Sequence, residues 1–88
     1  MTRTWKLLVW TGRKYQEANC GDSRFEARTP QDAIKKAGLN DPMYEIKYSR
    51  VGYGHFTGRI EARAPETVAA GEGQNVPLPA DFVLLVVD

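Results

Sequence analysis

Basic and aromatic side chains are concentrated between residues 50 and 59, in the segment RVGYGHFTGR. Aromatic rings can stack on nucleic-acid bases or fill pockets on a protein, and arginine contacts phosphates and carboxylates. The three glycines of the segment permit the tight or left-handed backbone of a narrow turn, from which such side chains project. The candidate binding residues are therefore Arg50, Tyr53, His55, Phe56 and Arg59.

Residues for catalysis or metal binding are scarce. The chain has one histidine and one cysteine, His55 and Cys20. His55 has no carboxylate at a local spacing that would orient it, and nothing in the local sequence supports a nucleophilic pair of the two. A zinc site needs four suitable ligands, and the chain has no phosphate loop of the GxxxxGK[S/T] kind. The sequence therefore predicts a protein that is not an enzyme and that uses no cofactor and no metal.

The run RVGYGHF (residues 50–56) is similar to the basic-Gly-aromatic-Gly-aromatic run of the RNA-recognition motif. That fold requires a helix directly after its first strand, whereas residues 12–22 have no apolar helical stripe. We therefore assign no family. Stacking of these aromatics on bases stays open as an alternative, as does a structural role in which the rings fold back on the sheet.

A short repeat marks two strands. The stretch RFEARTP (residues 24–30) returns thirty-five positions later as RIEARAP (residues 59–65), and the similarity stops on both sides, which disfavours a duplicated module. In each copy Arg, Glu and Arg share one strand face. That face predicts either ion pairs between neighbouring strands or a recognition surface. Arg24, Arg28 and Arg63 thus form a secondary binding surface.

The charge distribution is uneven. The net charge is +1, but residues 1–63 hold all 12 basic residues against seven acids, which gives +5, and residues 64–88 hold four acids and no base, which gives −4. A basic face and an acidic face would suit docking on a partner, whereas a dedicated duplex-DNA binder would be more basic overall.

Hydrophobic periodicity predicts the elements that position these residues. Residues 4–11 and 24–29 alternate as strands, and a second short strand is expected near residues 14–18. Thr29 is the expected N-cap of a helix whose first residue is Pro30, and Gly38 is its expected stop. Further along the chain we expect an N40–P42 turn, a strand over 43–51, a hairpin loop over 52–58, a returning strand from 59, a helical turn within 64–71, loop over 71–79 and a buried strand over 81–88.

This order indicates one domain spanning residues 1–88. Its expected class is α+β, a small, mostly antiparallel sheet of four to five strands with one helix (about 30–37) packed on one face. A single cysteine forms no internal disulfide, which favours the cytoplasm. The apolar run near the N-terminus is too short for a signal peptide or a membrane span.

These features favour binding over catalysis. We expect a non-enzymatic small interaction protein with a protein partner, of the kind that phages and mobile elements use to modulate a host factor. One alternative is a weak nucleic-acid-binding protein that uses the basic residues 1–63 and the Gly-aromatic hairpin. Another is a structural subunit of a larger assembly, in which the strand at residues 82–87 completes a partner's sheet.

Overall fold

The computed structural model describes residues 2–17, 24–39, 42–64, 67–70 and 75–87 of the 88-residue chain, and most of these lie in strands. The elements are β1 (Arg3–Trp10), β2 (Tyr15–Glu17), β3 (Arg24–Ala27), α1 (Pro30–Ile34) with a π-helical continuation (Lys35–Leu39), β4 (Tyr44–Gly52), β5 (His55–Ala62), β6 (Thr67–Ala69), β7 (Asn75–Pro77) and β8 (Ala80–Val86).

An antiparallel sheet dominates the structure. Its strand order is β2-β1-β8-β5-β4, and β3 pairs with β1 on the edge that β2 also uses. The strands β6 and β7 form a separate two-stranded sheet. The expected antiparallel sheet is confirmed, with five to six strands rather than four to five. Because α1 is short, the architecture is mostly β rather than a balanced α+β fold.

The core lies on one face of this sheet. β1 contributes Trp5, Leu7 and Val9 to it, and β8 contributes Phe82 and Leu84, all buried. The Trp5 indole Nε1 donates a hydrogen bond to the Ala27 carbonyl at 2.9 Å, so burial of this ring leaves its N–H satisfied. The predicted buried strand near the C-terminus is therefore confirmed, and it lies at the centre of the sheet.

The helix begins as the sequence predicts. The Asp32 N–H donates to Thr29 Oγ1 at 3.1 Å, and Pro30 takes the first helical position. The expected stop at Gly38 is wrong, because the helical backbone widens into a π-helical turn and continues through Leu39. Burial of Ala37 and Leu39 in the core explains this continuation, since the wider turn keeps both on the inner side.

Two further expectations need correction. The segment expected to form a helical turn contains β6, and part of the expected loop forms β7, because Val68 and Val76 lie opposite each other and are both buried. The hairpin loop expected over 52–58 is much shorter, since β4 ends at Gly52 and β5 begins at His55. The expected short strand near residues 14–18 is present as β2.

Other expectations lie outside the described residues. They concern the first two positions of the turn expected at residues 40–42 and the first four residues of the loop expected over 71–79, and Cys20 also lies outside the described residues. No helix in the described part of the chain has the length and apolarity needed to cross a lipid bilayer.

Candidate functional site

The β4–β5 hairpin ends in a two-residue turn, Tyr53-Gly54. Gly54 has a positive φ of 63°, and a Cβ at this position would lie 3.0 Å from Val86 Cβ. The Val86 N–H donates to the Gly54 carbonyl at 2.8 Å, which fastens the turn to β8. Glycine is needed here for both its backbone conformation and its lack of a side chain. The turn consequently presents Tyr53 from a fixed backbone.

Two arginine side chains contact Tyr53. Arg3 Nη2 donates to Tyr53 Oη at 2.5 Å, and Arg3 Cζ lies 5.1 Å from the ring centroid. On the hairpin itself, Arg50 Cζ lies 6.0 Å from the same centroid, and Arg50 Nε donates to the Gly52 carbonyl at 3.2 Å. We call Arg3, Arg50 and Tyr53 the tip cluster. Cation–π contacts of this exposed kind stabilise by roughly 0.5–1 kcal/mol each.

The tip cluster is open to solvent. Tyr53 is 76% exposed, more than any other large hydrophobic residue among those described. Within the described residues, neither Arg3 nor Arg50 has a carboxylate at ion-pair distance, whereas Lys6, Lys47 and Arg59 each have one. In the described part of the chain, Arg3 donates to the Tyr53 hydroxyl and Arg50 to the Gly52 carbonyl instead.

Exposed aliphatic residues accompany the cluster. Val51, at the irregularity where β4 shifts register, is 60% exposed, and Val87 is 39% exposed. The Val87 N–H donates to the Thr4 carbonyl at 2.9 Å, which places Val87 beside the strand position that follows Arg3. Tyrosine and arginine are the residue types enriched in protein-binding hot spots, and the exposed valines add apolar surface beside them.

Two of the predicted site residues lie on β5 instead of in the turn. The Phe56 ring lies 6.0 Å from the Trp5 ring and 6.1 Å from the Tyr48 ring, so it packs against the core. His55 lies opposite Leu85 on the other face of the sheet, half-buried. The physical reason is that strand alternation resumes directly after the turn, so consecutive residues point to opposite faces.

Arg59 is separate from the tip cluster as well. It lies five residues beyond Gly54 along β5, which corresponds to about 16 Å at the rise of a strand. Arg59 Nε donates to Asp81 Oδ1 at 3.3 Å. A depression of about 610 Å³ runs past this pair on the face opposite the core. Since both Arg59 and Lys47 on its wall have acidic partners, its charge is largely balanced.

The residues of the secondary binding surface are not gathered together. Arg24 lies opposite Lys6 on the β3 side of the sheet, Arg28 follows the end of β3, and the Arg63 N–H donates to the Met43 carbonyl beyond β4. The two repeat copies pair with different strands, β3 with β1 and β5 with β4 and β8. Cross-strand ion pairs between the copies are therefore absent from the described structure.

Sequence reasoning missed Arg3. The residue stands fifty positions before Tyr53, and no local pattern links the two. They meet because β8 lies between β1 and β5, which brings the start of β1 and the β4–β5 turn to the same end of the sheet. Only long-range strand order carries this information.

No group of three or more His, Cys, Asp or Glu side chains within the described ranges is placed to hold a metal ion. Comparisons with known proteins give no family model that matches the chain, no similar curated protein and no similar solved structure.

Proposed function

We propose that the protein is a non-enzymatic interaction protein that binds a protein partner through the tip cluster. The observation that supports this most strongly is the exposed Tyr53 ring held between Arg3 and Arg50. An aromatic side chain that is already ordered loses little conformational freedom on binding, so its contacts convert more fully into affinity.

The chemistry of the cluster indicates the complementary surface. Two guanidinium groups without acidic partners in the described structure favour a carboxylate-bearing surface. The aromatic ring and the exposed Val51 and Val87 favour an apolar contact beside it. The expected partner thus presents a shallow apolar pocket bordered by Asp or Glu.

A nucleic-acid partner is the weaker alternative. Backbone recognition needs a row of cations that follows the phosphates, with aromatic rings at base spacing. The candidate arginines instead lie at separate positions, and Phe56 packs inward. The tip cluster nevertheless combines one ring and two cations, so salt dependence is the appropriate discriminator.

The biological setting belongs to the same proposal. A chain of 88 residues with one cysteine and no cofactor motif suits an accessory protein that acts in the cytoplasm. Modulation of a host factor by a phage or mobile element is the setting we infer for such a protein.

The test compares capture of a partner by the wild-type chain and by Tyr53→Ala/Arg50→Ala. The matched control is Tyr15→Ala/Arg13→Ala, which removes the same two residue types from exposed positions outside both candidate binding surfaces. A partner that the wild type and the control retain, and that the tip variant loses, supports the proposal. Retention of the partner by the wild type and by both variants, with thermal transitions unchanged, contradicts it.

Salt titration of the captured complex then separates the partner classes. An affinity that falls steeply with added salt indicates phosphate contacts and counterion release. A weaker dependence, from no more than the charge pairs of Arg3 and Arg50, fits a protein partner that also makes apolar contacts with Tyr53 and the two valines.

A further inference from the structure

Strand β4 forms one edge of the main sheet. Within the described residues no strand pairs with its second edge, whereas the opposite edge is divided between β2 and β3, of three and four residues. β4 has nine residues, and its register is regular from Tyr44 to Arg50. Exposed edges are commonly protected by shortness, bulges or charges that point inward. The regular part of β4 is neither short nor bulged, and its exposed charges, Glu45 and Lys47, are of opposite sign, so they bar a like-charged strand but not a second copy of β4.

The ladder with β5 shows which backbone groups point outward. The Arg63 N–H donates to the Met43 carbonyl at 3.0 Å, one position beyond the Tyr44–Ala62 pair. Antiparallel ladders alternate between pairs that exchange hydrogen bonds and pairs that do not. Odd-numbered residues of β4 therefore bond to β5, and Ile46 and Tyr48 direct their N–H and C=O groups toward the open edge.

The side chains beside this edge are charged in a self-complementary order. Glu45 and Lys47 lie on the face opposite the core, one on each side of Ile46, with side chains 52% and 67% exposed. On the core face, Tyr44, Ile46 and Tyr48 are half-buried. When a second copy runs antiparallel with Ile46 opposite Ile46, the negative residue of each copy lies opposite the positive residue of the other.

We propose that a second copy of this chain pairs with β4 in antiparallel orientation, with Ile46 opposite Ile46. This surface shares only Arg50, at the far end of the regular part of β4, with the tip cluster, and the proposal does not depend on the partner proposed there. In this register, the outward backbone groups of the two Ile46 residues form the central hydrogen-bonded pair. Each Glu45 lies opposite the second copy's Lys47 in a non-hydrogen-bonded pair, the type in which side chains approach most closely.

The charges also select this register over its neighbours. A shift that centres the pairing on residue 45 places Glu45 opposite Glu45, and one that centres it on residue 47 places Lys47 opposite Lys47. Like charges directly opposite are destabilising. The two-fold symmetry of such a dimer doubles each favourable or unfavourable pair.

An apolar groove next to the edge favours the same arrangement. It has a volume of about 440 Å³ and lies between the helix and the core face of β4, where Ile34, Leu39 and Pro42 face Tyr44 and Ile46. Antiparallel pairing keeps both core faces on one side of the joined sheet. The two grooves then meet at the two-fold axis, where half-exposed apolar surface becomes buried.

The test measures mass in solution over a range of concentrations by light scattering. The wild type should approach twice the chain mass of 9.9 kDa. Glu45→Lys and Lys47→Glu should each weaken self-association at least about tenfold, because two attractive pairs become repulsive. An equimolar mixture of the two variants should form a heterodimer. The double reversal Glu45→Lys/Lys47→Glu should restore the homodimer.

The control variants are Glu26→Lys and Arg24→Glu, which make the same charge changes on exposed β3 positions and should associate like the wild type. Slower hydrogen exchange of the Ile46 amide at high concentration would give independent support. A wild type that stays monomeric at every concentration overturns the proposal and leaves the edge to an extended segment of another protein. Association that neither reversal weakens overturns it too.

Discussion

Arg3 and Tyr53 stand fifty positions apart in the chain, and Arg3 Nη2 donates a hydrogen bond to Tyr53 Oη at 2.5 Å. The contact joins the first strand to the turn of the β4–β5 hairpin. It also aligns the Arg3 guanidinium with the aromatic ring, at 5.1 Å from the ring centroid. One side chain thus orders the most exposed aromatic residue of the described structure.

A double-mutant cycle on Arg3→Ala and Tyr53→Phe should give a coupling free energy of roughly 0.5–1 kcal/mol in urea unfolding, the net worth of an exposed hydrogen bond. The coupling comes from the exposed hydrogen bond, since the phenylalanine ring keeps the stacking surface. Arg13→Ala with Tyr53→Phe serves as the control pair and should be additive. A coupling free energy within error of zero would mean that the hydrogen bond between Arg3 and Tyr53 does not stabilise the tip cluster.

The two aromatics of the hairpin should respond differently to removal. Phe56→Ala should lower the free energy of unfolding by roughly 2–3 kcal/mol, because the ring packs against Trp5 and Tyr48 but is only half-buried. Tyr53→Ala removes two exposed cation–π contacts, so it should lower the free energy of unfolding by about 1–2 kcal/mol, less than Phe56→Ala does, and it should remove partner binding. Equal destabilisation by both changes would show that Tyr53 is part of the fold, and the binding site would then have to be sought elsewhere.

Gly54→Ala should lower the free energy of unfolding by at least about 1 kcal/mol, since an L side chain is strained at positive φ and its Cβ would press on Val86. Gly12→Ala is the matched control, because Gly12 also has a positive φ, of 98°, but open space around it. The difference between the two variants reports the contact with Val86. If both variants lose a similar free energy of unfolding, the cost comes from the positive φ alone and the contact with Val86 contributes nothing.

Thr29→Ala should lower stability by about 1 kcal/mol through loss of the bond from the Asp32 N–H. Thr29→Ser keeps a capping hydroxyl and should remain close to the wild type. The measurement is the midpoint of chemical unfolding at constant slope. If alanine is tolerated as well as serine, the cap does not stabilise this helix.

Deletion of residues 81–88 should abolish cooperative folding, because β8 pairs with both β1 and β5. Within the full chain, Leu84→Ala should lower the free energy of unfolding by about 2–5 kcal/mol, since Leu84 is completely buried. Val87→Ala removes an exposed aliphatic side chain from the same segment and should have an effect within about 0.5 kcal/mol. A sharp two-state thermal transition in the shortened chain would contradict the central role of β8.

The central position of β8 in the sheet also bears on the alternative in which this strand completes the sheet of a partner in a larger assembly. Both edges of this strand are paired within the chain, so it presents no open edge to a partner's sheet. The open edge is that of β4, where the sequence shows only an ordinary alternating strand. Reassignment of the pairing surface from β8 to β4 therefore depends entirely on the tertiary structure.

The sequence by itself determined the local elements. Thr29 followed by Pro30 sets the start of the helix, because a hydroxyl cap and a residue without an N–H satisfy the first turn whatever surrounds them. Alternation over residues 44–49 sets which side of β4 faces the core, because the strand repeat is two. Such rules act over a few residues, so they can be read along the chain.

Strand order and the ends of elements were decided by tertiary contacts. Gly38 did not end the helix, because burial of Ala37 and Leu39 outweighed the local stop signal. Val68 formed a strand because Val76 lies opposite it and both are buried. The tip cluster formed because β8 separates β1 from β5 by a single strand, which brings Arg3 to Tyr53. Pairing between distant segments depends on the free energy of the whole core, and no short stretch of sequence contains it.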